Sequence, residues 1–299
     1  MSVWYIVPAA FPRVHQGISG GVVGTSSRAW HDPRYPHGTQ FFFKMKLQNT
    51  IELIFYKTYA DIKAESARSY LGLLWWLIEP VLYLCVFYIL FVLVLSRGSQ
   101  DYVPFFLCGA VVWKWFASGL NGASHSIVAN RGLLQQVYVP KFVFPVIAVF
   151  GSTVRFLPVF LLFTVFLLVY GMPIHSGWFA LPVVVFTQFF LIMALGLLAG
   201  AITPFLPDLK VAIDNVLMFL FFISGVFFDI NHVREPVKTY LFLNPMALLI
   251  NEYRNILIFK GWPNLLPLGV IIMISYIFGS LAIFLLKQMD HRYGKLRFR

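Results

Sequence analysis

Long stretches without any acidic or basic residue constrain this chain more than any other feature of its sequence. One extends from Phe156 to Leu206 and another from Gly261 to Leu286. About 20 apolar residues in a helix cross a hydrocarbon core about 30 Å thick. Of the 299 residues, 59% are hydrophobic and only 12% are charged, which is outside the usual range of soluble domains. The chain is therefore predicted to be an all-α integral membrane protein.

The uncharged stretches divide into six predicted transmembrane helices. The longest stretch is split at 171–177, where two glycines and a proline are typical of a turn. The six predicted spans are residues 75–96, 103–124, 142–170, 179–203, 211–229 and 264–287. They belong to a predicted membrane domain at 67–290, which a basic tail at 291–299 follows. Residues 1–40 contain no apolar core of signal-peptide length and are expected to form a polar cytoplasmic extension.

Basic residues are distributed unevenly between the loops of the two sides. With six spans, the side that holds both termini carries 16 Lys and Arg residues, and the other side carries 5. An excess of these residues marks the cytoplasmic side. We therefore expect both termini in the cytoplasm and the protein in the inner, or plasma, membrane. The net charge of +11 does not indicate a nucleic-acid partner, because the basic residues are scattered between apolar segments.

Residues 41–66 precede the first span and have the periodicity of an amphipathic helix. The predicted apolar face comprises Phe43, Leu47, Ile51, Ile54, Thr58 and Ile62. A helix of this kind flanked by lysines is expected to lie in the cytoplasmic membrane interface. Packing against a soluble partner is the alternative.

Two connecting segments are richer in sequence than simple loops require. The segment 125–141 is predicted to form a short cytoplasmic helix that docks a partner, and a plain linker is the alternative. The candidate docking residues are Asn130, Arg131, Gly132, Leu133, Leu134 and Gln135. In the segment 230–263, Asn244 is a helix N-cap residue and Pro245 occupies the first helical position. The helix that follows, with Tyr253 and Arg254, is too short and polar to cross the membrane. We expect it to be re-entrant or interfacial on the outer side, with an ordinary extracytoplasmic helix as the alternative.

Two basic residues, Lys114 and Arg155, lie near the middle of predicted spans two and three. Charges inside a membrane are costly and often mark a transport pathway. No carboxylate is expected at that depth, since Glu79 and Asp214 lie near the cytoplasmic ends of their spans. The two cations therefore suggest a water-filled conduit that tolerates or attracts anions such as phosphate. A broken second span, or Arg155 bonding to carbonyls freed by Pro158, is the alternative.

Aromatic and small residues are also concentrated in the predicted spans. Trp75, Trp113 and Phe116 are candidates for the conduit, because the apolar faces of sugar rings can pack on aromatic rings; interfacial belts and helix packing are the alternative. Gly196 and Gly200 form a small-xxx-small motif that predicts close helix packing within the subunit rather than dimerisation. The histidines and cysteines show no metal-binding spacing, so no metal site is expected.

Several motifs resemble those of one transporter family. The segment from Arg68 to Pro80 opens the first span and has Leu71-Gly72, Trp75 and Pro80 at the most specific spacing. Further resembling segments are 102–109 with Trp113, 130–140, Asn244-Pro245 and Tyr253-Arg254. Together they cover about residues 41–295 and resemble the membrane subunit of a type 2 ABC exporter, in the branch that exports O-antigen, capsule and teichoic-acid chains. Residues 1–40 and Lys114 are not part of this resemblance.

The resemblance implies a homodimer that encloses a channel and docks two copies of a cytoplasmic ABC ATPase. ATP and magnesium would bind to that partner, because this chain has no G-x-x-x-x-G-K-S/T motif; the chain is expected to be a transport subunit without cofactor and not an enzyme. The lipid-diphosphate end of the cargo would enter near Leu71 and Gly72, where Arg68 would contact a phosphate. Positive-inside anchoring is the alternative for Arg68. The segment 125–141 would be the coupling helix.

The expected function is export of a lipid-linked polysaccharide across the inner membrane, with periplasmic and outer-membrane export proteins as further partners. A type 2 ABC exporter of a small lipid or drug is one alternative. A polyprenyl-dependent membrane glycosyltransferase is the other, and it would need loop carboxylates for acid–base or metal chemistry. The carboxylates expected on the outer side are Asp101, Asp229, Glu235 and Glu252, and none belongs to a D-x-D pattern.

Overall fold

The computed structural model describes residues 47–67, 70, 72–89, 102–136 and 139–293, and all regular secondary structure in these ranges is helical. Several predictions fall outside the described residues. They concern the extension 1–40, Phe43, Arg68, Leu71, the end of the first predicted span, and the tail beyond 293. The side chains of Leu47 and Gln135 are not described either.

Ten α-helices follow one another within the described ranges. They are α1 (Leu47–Ala67), α2 (Trp75–Tyr88), α3 (Tyr102–Ala129), α4 (Arg131–Gln136), α5 (Val143–Val169), α6 (Leu181–Ile202), α7 (Asp208–Ile223), α8 (Val237–Leu241), α9 (Pro245–Leu257) and α10 (Leu265–Tyr293). Short 3₁₀ helices at Gly72–Leu74, Ser176–Ala180 and Ile230–His232 precede α2, α6 and α8.

Four helical segments are long and apolar enough to cross a membrane. They are Tyr102–Ala129, Val143–Val169, Ser176–Ile202 and Leu265–Met289, which correspond to predicted spans two, three, four and six. In the described residues α2 has 14 residues and α7 has 16, so the first and fifth spans do not reach that length. The all-helical membrane fold is therefore confirmed, while the number of six spans stays a prediction.

Helix α7 ends earlier than the predicted fifth span. It stops at Ile223, and the chain turns at Gly225, whose φ of +74° is a left-handed conformation that suits glycine. A Cβ atom at this position would lie 2.6 Å from Cδ1 of Ile230. The sequence did not reveal this end, because the residues up to Phe228 are uncharged and continue the apolar pattern.

Helix α3 lies at the centre of the packing and contacts α5, α6, α7 and α9. Its side chains Cys108, Val112 and Ala123 are fully buried. The ring of Trp115 stacks on Phe156 of α5, with 4.1 Å between the ring centroids. Burial of α3 among its neighbours thus holds the membrane helices together.

Gly196 and Gly200 bring α6 close to α3 and α5. A Cβ atom on Gly196 would lie 2.8 Å from Cβ of Ala123, and one on Gly200 would lie 2.7 Å from Cγ of Pro145. Real Cβ atoms do not approach this closely, so only glycine permits these helix contacts. The predicted packing of the motif within the subunit is confirmed.

Helix α1 packs along α5 through a face that differs from the predicted one. Ile54 and Thr58 are buried as expected, but Thr50 is buried as well and Ile51 is exposed. The buried residues recur every four positions, which places them on one side of the helix. Contact with α5, and not hydrophobicity alone, therefore decides the orientation of α1.

Gly196→Ala should lower the stability of the folded protein by about 1–3 kcal/mol, because the added methyl group overpacks the contact with α3. The matched control is Gly269→Ala in α10, where a Cβ atom would meet no other atom within 4 Å. Thermal unfolding in detergent measures the stability of the two variants. Equal unfolding midpoints for the two variants would contradict this account of the α3–α6 contact.

Candidate functional site

A cavity of about 470 Å³ opens between the end of α1 and helices α2, α3, α5 and α7. Five charged side chains line it: Glu65, Glu79, Lys114, Arg155 and Asp214. They come from five different helices, so tertiary packing alone brings them together. This concentration of charge among apolar helices makes the cavity the candidate functional site.

Both basic residues of the cavity are paired, which contradicts the expectation of unpaired cations. Lys114 Nζ donates to Oε1 of Glu79, and Arg155 Nη1 donates to Oε2 of Glu65 at 2.6 Å. Position along a single span does not show which other helices lie beside it, so the sequence could not reveal these partners. In the structure, α1 and α2 pack beside α5 and α3, so their carboxylates reach the two cations.

Aromatic side chains form another part of the cavity wall, and one of the three candidate conduit aromatics is among them. Trp113 lines the cavity, as do Lys114 and Arg155. Phe116 is buried beside Trp113, with 5.4 Å between ring centroids, and is not part of the lining. Trp75 is exposed and also outside the lining, which instead includes its neighbour Trp76.

Trp76 links the aromatic and charged parts of the site. Its Nε1 lies 3.4 Å from Oε1 of Glu65 and donates a hydrogen bond to it. Sequence reasoning missed Glu65 and Trp76, because no local motif connects them. Among the described residues, no group of three or more His, Cys, Asp or Glu side chains could hold a metal ion.

The predicted entry segment contains a strained turn at Gly72. Its φ of +47° is in the left-handed region, and a Cβ atom there would lie 3.1 Å from the carbonyl oxygen of Ser66. Both features favour glycine. The other two predicted entry residues, Arg68 and Leu71, are outside the described residues.

The predicted helix between spans two and three is confirmed, although it is shorter than the segment 125–141. Helix α3 continues to Ala129, Asn130 forms the turn, and α4 begins at Arg131. The carbonyl of Asn130 accepts from the backbone N–H groups of Leu133 and Leu134, each at 3.1 Å. The sequence therefore predicts that a helix exists here. The structure shows that α4 begins at Arg131, after the end of α3.

Helix α4 has two packed leucine side chains and two exposed residues. Leu133 and Leu134 pack against the buried cluster that includes Ile127 and Val143. Arg131 and Gly132 are exposed. The first two residues of α4 are thus exposed, while the next two attach the helix to the core.

Helix α9 begins as its sequence predicts and is largely buried. The side chain of Asn244 accepts from the backbone N–H of Met246 at 3.0 Å, and Pro245 follows it at the first position. Tyr253 is fully buried and packs edge-on against Phe160 of α5, with 6.0 Å between ring centroids. Helix α9 is therefore part of the core rather than a surface appendage.

Arg254 of α9 binds three backbone carbonyls in the protein interior. It donates to the oxygen of Phe105 from Nε at 3.2 Å and from Nη2 at 3.1 Å. It also donates to Gly225 from Nη1 at 2.6 Å and to Val226 from Nη2 at 2.9 Å. Its guanidinium carbon lies 3.4 Å from the centre of the Phe105 ring. Arg254 thus joins α3, α9 and the turn after α7.

Burial lowers the pKa of Arg254 to about 10. Because this value is still well above neutral pH, Arg254 stays charged. Gly109 provides the space for it, because a Cβ atom there would lie 2.8 Å from Nη2 of Arg254. The sequence indicated that this arginine is unusual but not which groups it binds, since the acceptors lie far away along the chain.

Long apolar helices that pack around an interior charged cavity form the architecture of a helical membrane transport protein. Residues 27–258 match the family described as ABC-2 type transporter, and the chain belongs to this family. The match covers most of the chain, and the predicted resemblance to type 2 ABC exporters is confirmed.

Relatives of this chain include permeases of polysaccharide export systems. The chain is 24% identical to an O-antigen export system permease protein, RfbA, of Klebsiella pneumoniae, over 85% of this chain and 98% of the relative. It is 28% identical to RfbA of Myxococcus xanthus, over 73% and 84%. It is 22% identical to the polysialic acid transport protein KpsM of Escherichia coli, over 69% and 80%.

Arg254→Met should destabilise the fold strongly, because each carbonyl left without a donor in the interior costs about 1–3 kcal/mol. The control is Arg234→Met, since Arg234 is exposed. Thermal unfolding and limited proteolysis of the purified proteins compare the two. An Arg254→Met protein as stable as the control would exclude the structural role assigned to this arginine.

Proposed function

We propose that this chain is the transmembrane subunit of an ATP-driven exporter that moves a lipid-linked polysaccharide from the cytoplasm across the inner membrane. Its similarity to permeases named for O-antigen export and polysialic acid transport, over most of its length, carries this proposal. The cavity adds support, since rings such as Trp76 and Trp113 stand beside polar groups there. Such a surface suits a cargo with both apolar ring faces and hydroxyl groups.

The working assembly contains two copies of this chain and two copies of a cytoplasmic ABC ATPase, which binds ATP and magnesium. Each chain crosses the membrane six times, with both termini in the cytoplasm and α9 re-entrant on the outer side. Burial of α9 against α3 supports the last point, because a re-entrant segment at membrane depth must be covered by protein. Export proteins of the periplasm and outer membrane complete the route.

The segment 125–141 docks the ATPase through α4. The exposed start of α4, at Arg131 and Gly132, is available to a partner, while Leu133 and Leu134 connect it to the membrane core. Movement of the ATPase would thus reach the membrane helices through a rigid contact. Cargo enters near Leu71 and the Gly72 turn, and Arg68 contacts its phosphate.

Export of a small lipid or drug is the second candidate function. The apolar side chains of the cavity favour it, among them Phe106, Val111, Leu217 and Phe221. The two functions differ in what accumulates when the chain is absent, since only a polysaccharide exporter leaves polymer in the cytoplasm.

Cells that lack this chain should accumulate polysaccharide in the cytoplasm and lose it from the surface, and the wild-type gene should restore export. Surface labelling of the polymer and fractionation of the cells measure both effects. Normal surface polymer in the deletion strain, or loss of a small lipid instead, would overturn the polysaccharide assignment.

Arg131→Glu should abolish association with the ATPase and leave membrane insertion unchanged, because it reverses an exposed charge at the start of α4. Copurification of the ATPase with the tagged chain from membranes tests this. Arg234→Glu is the control, since this residue is exposed in the outer segment. Normal ATPase binding by the Arg131→Glu protein would contradict the coupling role of α4.

A further inference from the structure

We propose that Lys114 and Arg155 form a binding site for an oxyanion of the phosphate type, which Glu79 and Glu65 occupy until the ligand displaces them. The inference rests on the proposed function and adds that the cargo presents a phosphate-type group to these two cations. The two cations come from different helices but line the same cavity, which suits a group with at least two negative charges. Guanidinium and ammonium groups are the usual protein ligands of phosphate.

The two cations and their partners belong to different parts of the fold. Lys114 and Arg155 lie on α3 and α5, which form the central packing, whereas Glu79 and Glu65 lie on α2 and α1. One ion pair therefore joins α2 to α3, and the other joins α1 to α5. Opening both pairs would leave the cations in the cavity and remove the carboxylates.

Both pairs are accessible from the cavity. The side chains of Lys114 and Glu79 are 51% and 43% exposed, and those of Arg155 and Glu65 are 33% and 49% exposed. An ion pair with this much solvent contact stabilises a protein only slightly. An incoming oxyanion can therefore replace either carboxylate without a large loss of stability.

The charge of the cavity changes sign when the pairs open. With the pairs closed, three carboxylates, including Asp214, stand against two cations. Once Glu65 and Glu79 leave, two cations stand against Asp214 alone. A closed cavity thus disfavours a free anion, and an open one attracts it.

Helix α2 lies at the edge of the described helices that surround the cavity. It contacts α3 and α5 on one side, while Val81, Leu82 and Val86 on its surface are exposed. The left-handed turn at Gly72 separates it from α1. Of the charged residues in the cavity, Glu79 is the one that α2 contributes, so a shift of α2 would open the pair with Lys114.

The test uses the full chain in phosphatidylcholine nanodiscs and equilibrium binding of farnesyl diphosphate, with uncharged farnesol as the comparison probe. Lys114→Gln and Arg155→Gln should each weaken diphosphate binding about tenfold, because each removes a charge-assisted hydrogen bond. Glu65→Gln and Glu79→Gln should strengthen it about threefold, because each removes a competing carboxylate. Farnesol binding should not change.

The exposed ion pair between Lys57 and Asp61 on α1 is the matched control. Lys57→Gln and Asp61→Asn should leave diphosphate binding unchanged. A charge swap, Glu79→Lys with Lys114→Glu, keeps the ion pair but places the cation on α2. A purely structural pair predicts wild-type binding for the swap, whereas an oxyanion site predicts weak binding.

Wild-type binding by the two cation variants, or by the swap, would overturn the inference. So would carboxylate variants that bind no more tightly than wild type. Nanodiscs with phosphatidic acid, whose phosphomonoester can carry two negative charges, identify the source of the phosphate. Competition assigns the site to a lipid headgroup, and absence of competition assigns it to the diphosphate of a carrier. Both results retain the oxyanion site.

Complementation of a deletion strain separates this inference from the proposed function. Restored export together with unaltered probe binding in the cation variants overturns the oxyanion site and leaves the proposed function in place. Failure of the wild-type chain to restore export overturns the proposed function, whatever the probe binds.

Discussion

The hydrocarbon core of a membrane contains no water to bond to the polypeptide backbone, and the rest of this structure depends on that constraint. Every backbone N–H and C=O group at membrane depth must find a partner within the protein, which favours long helices. Two hydroxyl groups within the predicted spans satisfy their own bonding capacity in the same way. Thr153 Oγ1 donates to the carbonyl of Val149, and Ser275 Oγ to that of Ile271, each within its own helix.

The same constraint explains the arrangement around Arg254. The chain leaves its helical path after Ile223, so the carbonyls of Gly225 and Val226 need donors from elsewhere. Arg254 supplies them, and the missing side chain of Gly109 gives its guanidinium room. A charged residue thus allows irregular backbone to be buried, and it ties α9 to α3 and to the turn after α7.

In the cavity, the constraint produces ion pairs rather than isolated charges. A lone cation among apolar helices would be costly, so Lys114 and Arg155 each have a carboxylate partner. The partners come from the first two helices, line the cavity and are partly exposed, which is the basis for inferring that a ligand can replace them. The cations of the cavity therefore differ from Arg254, because the acceptors of Arg254 are backbone groups within the packed core.

Local sequence patterns determined the helical membrane class, four of the spans to within a few residues, the cap at Asn244, the helix at α4 and the close approach at Gly196. Each depends on residues near one another in the chain, where helix geometry relates spacing directly to position. Tertiary structure alone decided the packed face of α1, the early end of α7, the partners of Lys114 and Arg155, and the acceptors of Arg254. These depend on contacts between residues far apart in sequence, and such contacts arise from how whole helices pack, which no local spacing encodes.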